Sequence, residues 1–159
     1  MSQIWNDNIN EFIQLSSKHK VRMLMVGGGA VNFHGYQRHS ADVDFWVDMK
    51  TENVNNLVKV FQEMGYDLDS FPPKVMNKEQ NISVKFSPID INLELITNFS
   101  LNKTFDEAYN DSIEIQSKEN VYQKWNVLTL DDLIESKIKA GRPKDILDVQ
   151  ELIKRKKKE

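Results

Sequence analysis

An α/β domain is expected from three features of the chain. Apolar residues at Ile4, Trp5, Ile9, Phe12, Ile13 and Leu15 approximate one face of a helix over residues 4–18. A short apolar run, Val21 to Val26, stops at Gly27-Gly28 as a buried strand does. Val43, Phe45 and Val47 alternate with Asp42, Asp44, Trp46 and Asp48, the pattern of a strand with one face in the core and one face carrying acids. With 159 residues, 40% of them hydrophobic, there is apolar material for one ordinary core. A single domain over residues 1–155 is expected, followed by a basic, frayed tail over 156–159.

The first helix is expected to pack on the back of a sheet. After the strand at Val21 to Val26, Ala30 to Phe33 favours a short helix, so the order is strand, Gly-Gly, helix. Val54, Leu57, Val58, Val60, Phe61 and Met64 form a helical stripe that Gly65 ends. Pro72-Pro73 and Pro88 punctuate the middle of the chain, so strands there must be short. Ile82 to Phe86 and Ile91 to Ile96 read as two strands joined by a turn at Ser87-Pro88. In the second, Ile91, Leu93 and Leu95 face one way and Asp90, Asn92 and Glu94 the other. Thr104 to Tyr109 reads as a short helix, and Ser112 to Ile115 and Tyr122 to Leu128 as extended segments. Leu130 to Ala140 and Pro143 to Lys154 read as two closing helices, with Gly141 ending the first and Pro143 in the first turn of the second.

The formal charge of -3 and the pI near 5.7 give no overall positive field to recruit nucleic acid or an acidic membrane. Basic residues gather only at Lys154 to Lys158, where a local patch could touch RNA. The absence of cysteine excludes a disulfide framework and a thiolate site. No apolar stretch approaches the ~20 residues that span a bilayer, and the N-terminus has no signal-peptide pattern, so a soluble, cytoplasmic protein is expected.

Chemistry concentrates at the glycines and the first acidic strand. A glycine pair after a strand lets backbone N–H groups come close to phosphates. Carboxylates at i and i+2 of a strand share a face, so Asp42 and Asp44 can share a divalent cation. Glu94 offers a third carboxylate on a neighbouring strand, with Asp90 as the alternative. Other phosphate and metal motifs fit worse. Gly27-x-Gly29-x-x-Asn32 lacks the last glycine of a dinucleotide fingerprint, and no Gly-Lys-Ser or Gly-Lys-Thr follows. As a calcium loop, Asp42-x-Asp44 would place Val47 at the glycine position and Asn53 at the closing glutamate. Taken alone, Lys137 reads as a surface lysine, Arg142 and Asp145 as an i, i+3 pair, and Asp148 as a member of that network. His34 and His39 lack a third ligand and read as structural. Trp46 could stack on a base or fill the rim of the sheet, and Asp48 reads as a strand-end residue.

The run Val26-Gly27-Gly28, a thirteen-residue spacer, then Asp42-Val43-Asp44-Phe45 resembles the minimal nucleotidyltransferase superfamily of the DNA polymerase beta-like fold. Ala30, Gly35, Arg38 and Ser40 are similar to its small bacterial, abortive-infection toxin-like branch. So are Leu133-Ile134-Glu135-Ser136-Lys137 and Ala140-Gly141-Arg142-Pro143-Lys144-Asp145 with Asp148. The resemblance implies a mixed β-sheet flanked by helices, with C-terminal helices and the site at one edge. It implies transfer of a nucleoside monophosphate from a nucleoside triphosphate (NTP) to a hydroxyl-type acceptor. One or two Mg²⁺ ions would be held by Asp42, Asp44 and Glu94, the third carboxylate deprotonating the acceptor or completing the metal site. Many relatives carry Asp where Glu94 stands. The triphosphate would meet the amides of Gly27, Gly28 and Gly29, with Lys137 and Lys144 neutralising its charge and Arg38 or Ser40 positioning it.

Three functions follow from that resemblance. The chain could be a toxin-like enzyme that modifies tRNA or a partner protein and pairs with an antitoxin. It could modify a small molecule such as an antibiotic. It could also be a nucleotide-binding module without chemistry, against which the retention of Asp42 and Asp44 argues.

Overall fold

In the computed structural model, residues 7–36, 42–86, 88 and 91–157 are described. The elements in chain order are α1 (Asp7–Lys18), β1 (Met23–Val26), α2 (Gly27–Phe33), β2 (Asp42–Val47), α3 (Thr51–Glu63), α4 (Pro73–Met76), β3 (Ile82–Val84), β4 (Asn92–Ile96), α5 (Phe105–Asp111), β5 (Ile113–Gln116), β6 (Lys124–Val127), α6 (Leu130–Ala140) and α7 (Pro143–Lys157). The six described strands form one sheet in the order β3-β4-β2-β1-β6-β5. β2 runs antiparallel to β1 and parallel to β4, and β1 runs parallel to β6, so the sheet is mixed. The expected α/β architecture is the one observed.

Burial explains the order of the strands. β1 is buried at all four positions and sits centrally, whereas the exposed β5 and the three-residue β3 form the edges. Short edge strands present little unpaired backbone to other chains. Phe12 of α1 meets Phe45 of β2 and Phe61 of α3, with ring centroids 6.1 and 5.8 Å apart. α1 and α3 therefore cover the sheet face to which Val43, Phe45 and Val47 point. On the opposite face, Trp46 packs against Phe99 and Phe105, each at 5.1 Å, and is almost fully buried. Filling the sheet rim is thus the role observed for Trp46.

The punctuating residues stop elements where expected. Gly65, at φ 97°, closes α3 with Gly65 N–H donating to Gln62 O and Tyr66 N–H to Phe61 O. Gly141, at φ 65°, closes α6, and Thr129 caps its start by accepting from Asp132 N–H. Thr104 and Glu107 form a capping box at α5. Pro73 starts α4, a single turn that the sequence did not predict. Two boundaries differ in ways that bear on function. The first helix after β1 begins at Gly27 itself, with no intervening loop, because φ 63° at Gly27 turns the chain at once. The basic run expected to fray is helical through Lys157, where Lys156 pairs with Asp131 at 2.5 Å.

Candidate active site

Register places the acids. Asp44 of β2 pairs with Val26 at the end of β1 on one side and with Glu94 of β4 on the other. Cross-strand partners project to the same face. Asp42, two residues earlier on that face, lies level with Asn92. The structure thus brings Asp42, Asp44 and Glu94 to one edge, directly beside the start of α2. Asp90, Arg38 and Ser40 lie outside the described residues, as does His39.

Gly27 is required here twice over. Its positive φ disfavours any side chain, and a Cβ would lie 2.2 Å from Asp44 Oδ2. The Asp44 carboxylate therefore rests on the bare backbone where β1 becomes α2. Gly28 and Gly29 are buried in the first turn of α2, and a Cβ on Gly29 would press on Met25 Sδ at 3.1 Å. First-turn amides have no partner within their own helix, and Val26 at the N-cap supplies no side-chain cap.

Burial raises the pKa of Asp44 from 3.8 to about 6, and the negative charges of Asp42 and Glu94 push in the same direction. Lys137 and Lys144 pull it back down. Like charge is therefore in excess at this edge, and the two lysines are near enough to be felt. No group of three or more His, Asp or Glu side chains among the described residues is drawn tightly enough to hold a metal ion alone. The expected three-carboxylate ligand set is a row across two strands, Asp42 and Asp44 on β2 and Glu94 on β4.

The reading of Lys137 as a surface lysine is corrected. Its side chain is 7% exposed and its Nζ lies 3.3 Å from Asp145 Oδ1 and 3.1 Å from Asp148 Oδ2, both carboxylates being buried. The isolated-lysine reading failed because residues eight and eleven positions on fold back from α7 as its counter-charges. Asp145 is also the anchor of Arg142. Arg142 Nε and Nη2 donate to Asp145 at 2.6 and 3.2 Å, and the Arg142 amide donates at 3.2 Å. Burial pushes Asp145 upward, but the Arg142 hydrogen bonds and the Lys137 charge outweigh it and leave its pKa below the ordinary value. Two of the five guanidinium N–H groups of Arg142 are used on Asp145, and its side chain is 58% exposed. Its charge is also stabilised by Asp44. Arg142 is thus an exposed cation anchored on Asp145 and within electrostatic reach of Asp44, which its i, i+3 spacing to Asp145 concealed. Lys144 is exposed on the same turn.

Two other expectations concern structural roles. His34 Nε2 lies 2.8 Å from the Leu128 carbonyl, tying α2 to the end of β6. Asp48 follows β2, accepts from the Lys50 amide at 3.2 Å and pairs with Arg22 at 3.2 Å. One site contact escaped the sequence entirely: Ser83 of β3 donates its hydroxyl to Glu94 Oε2 at 2.5 Å. Ser83 alternates with Ile82 and Val84 along β3, and only the strand pairing shows which residue it meets.

Together these residues make an acidic edge on a mixed sheet, within electrostatic reach of cations from the closing helix pair. The chain belongs to the family described as nucleotidyltransferase of unknown function (DUF6036), which it matches over residues 7–156. No curated protein matches the sequence.

Proposed function

We propose that the chain transfers a nucleoside monophosphate from an NTP to a hydroxyl on a macromolecular acceptor, in a Mg²⁺-dependent reaction. The observation that carries this reading is the excess of negative charge at Asp44, whose carboxylate is packed against bare backbone at Gly27. The donors suit Mg²⁺, which takes hard oxygen ligands and commonly needs only one or two carboxylates because substrate phosphates and water complete its coordination. An open row of acids fits such a shared ion better than a resident one. Asp42 and Asp44 would hold it, and it would offset charge on the reacting phosphate and the leaving pyrophosphate.

The chain's own residues account for the other roles. The uncapped amides of Gly27, Gly28 and Gly29 meet phosphate oxygens. Arg142 and Lys144 neutralise the triphosphate from the opposite side, with Arg142 oriented by Asp145 and Lys137 holding Asp145 from behind. Glu94 takes the proton of the acceptor hydroxyl, a role supported by its present contact with a hydroxyl. The helical basic end of α7 favours a large anionic acceptor such as tRNA over a small antibiotic; its Arg155 lies against Gly35, just past the end of α2.

Calorimetric titration with each of the four ribonucleoside triphosphates, with and without Mg²⁺, tests the reading. Binding is expected to need both the metal and the two aspartates, and to vanish in the Asp42→Ala/Asp44→Ala double variant while its thermal unfolding stays cooperative. Equal binding by the double variant would remove the assignment.

A further inference from the structure

The row that crosses the sheet at the acidic edge does not stop at Glu94. Ser83 is the register partner of Glu94, and Glu94 is the register partner of Asp44. The three side chains therefore stand in line on one face, Ser83 two strand spacings, about 10 Å, from Asp44. The Ser83 hydroxyl already donates to Glu94 Oε2, and Ser83 is exposed on an edge strand. The hydroxyls of Thr97, Ser112 and Ser136, by contrast, donate to backbone carbonyls. A hydroxyl bonded to a carboxylate, at the rim of a phosphate-binding edge and open to solvent, is the arrangement of an activated nucleophile.

We infer that Ser83 is itself an acceptor: the chain nucleotidylates its own Ser83. This rests on the nucleotidyltransferase reading of the same site. In the step, Ser83 Oγ forms a bond to the α-phosphorus of a bound NTP and its proton passes to Glu94 Oε2. The bond between the α-phosphorus and the bridging oxygen breaks, and pyrophosphate leaves with that electron pair. The product is a phosphodiester joining Ser83 to the nucleoside, formed once per chain. Because β3 holds Ser83 on the row, the modified side chain would occupy the space in front of Glu94 that an external acceptor needs. Self-modification would therefore close the site to that acceptor.

The test is the intact mass of the full chain, as purified and after incubation with Mg²⁺ and each of the four ribonucleoside triphosphates, with peptide mapping of the product. The expected result is a gain of one nucleoside monophosphate per chain on the peptide containing Ser83. Ser83→Ala, checked for an unchanged thermal unfolding curve, is expected to lower incorporation at least tenfold, Ser83→Thr to restore part of it, and Glu94→Gln to slow it by a similar factor. Wild-type protein that binds NTP in the Mg²⁺- and aspartate-dependent manner above but gains no mass, or gains it elsewhere, overturns the inference and leaves the proposed function standing. A wild-type chain that binds no NTP overturns both.

Discussion

Asp44 stands where a carboxylate is costly, half-buried beside two others and against the backbone of Gly27. Its folded pKa of about 6 lies above the ordinary 3.8, so the native state binds more protons than the unfolded chain between those values and loses stability as pH rises through them. Above pH 6 the penalty is complete, and below pH 4 it is absent. Two pKa units correspond to about 3 kcal/mol, which solvent screening of a partly exposed group reduces to about 1–2 kcal/mol. Asp44→Asn should therefore raise the melting temperature by about 4 °C at pH 7.5 without metal, with the gain fading by pH 4. An unchanged melting temperature at neutral pH would mean that the charge is already relieved. Gly27→Ala should act in the opposite direction. Strain at φ 63° and the clash with Asp44 Oδ2 predict a loss of at least 2 kcal/mol in urea unfolding, together with weaker NTP binding.

At the scale of elements, the α6–α7 hairpin depends on a charged quartet in which Lys137 and Arg142 balance Asp145 and Asp148. Asp145 is the hub, accepting from both cations and from the start of α7. Asp145→Ala would leave Lys137 with a single counter-charge and Arg142 unheld, and should cost about 3–5 kcal/mol in urea unfolding. Lys144→Ala, on the exposed side of the same turn, should leave stability within about 0.5 kcal/mol while weakening NTP binding. The hairpin also shows what a sequence can and cannot disclose. Periodicity, Gly141 and Pro143 set the helix limits closely, and alternation put Asp42, Asp44 and Glu94 on polar faces. These are local properties. The burial of Lys137, the electrostatic reach of Arg142 to Asp44 and the Ser83–Glu94 contact depend on which elements meet, and no spacing along the chain encodes that. The direct passage from β1 into α2 was missed for another reason: a glycine pair suits a loop and a helix start equally, and only φ at Gly27 decides.

For the whole molecule, one continuous core links both sheet faces, from Phe12 and Phe61 under β2 to Leu128, Leu133 and Leu152 at the closing helices. β1, buried throughout and paired on both sides, joins the halves of the sheet. A chain with one core and a shared central strand should unfold as a unit. Far-UV circular dichroism and the calorimetric transition are expected to coincide at one temperature, and two separate transitions would show that the α6–α7 hairpin melts independently. Among the described residues no helix is long and apolar enough to cross a membrane.

The meeting of Gly27 with Asp44 also constrains how this lineage can change. A side chain at position 27 evicts the carboxylate, so that glycine cannot be lost while the aspartate keeps its place. The reverse loss is easier, because shortening residue 44 removes the clash at Oδ2 and leaves only its Cβ, 3.2 Å away, while the positive φ still calls for glycine. Decay of the chemistry should then leave an asymmetric trace: in descendants that abandon it, the glycine outlives the aspartate.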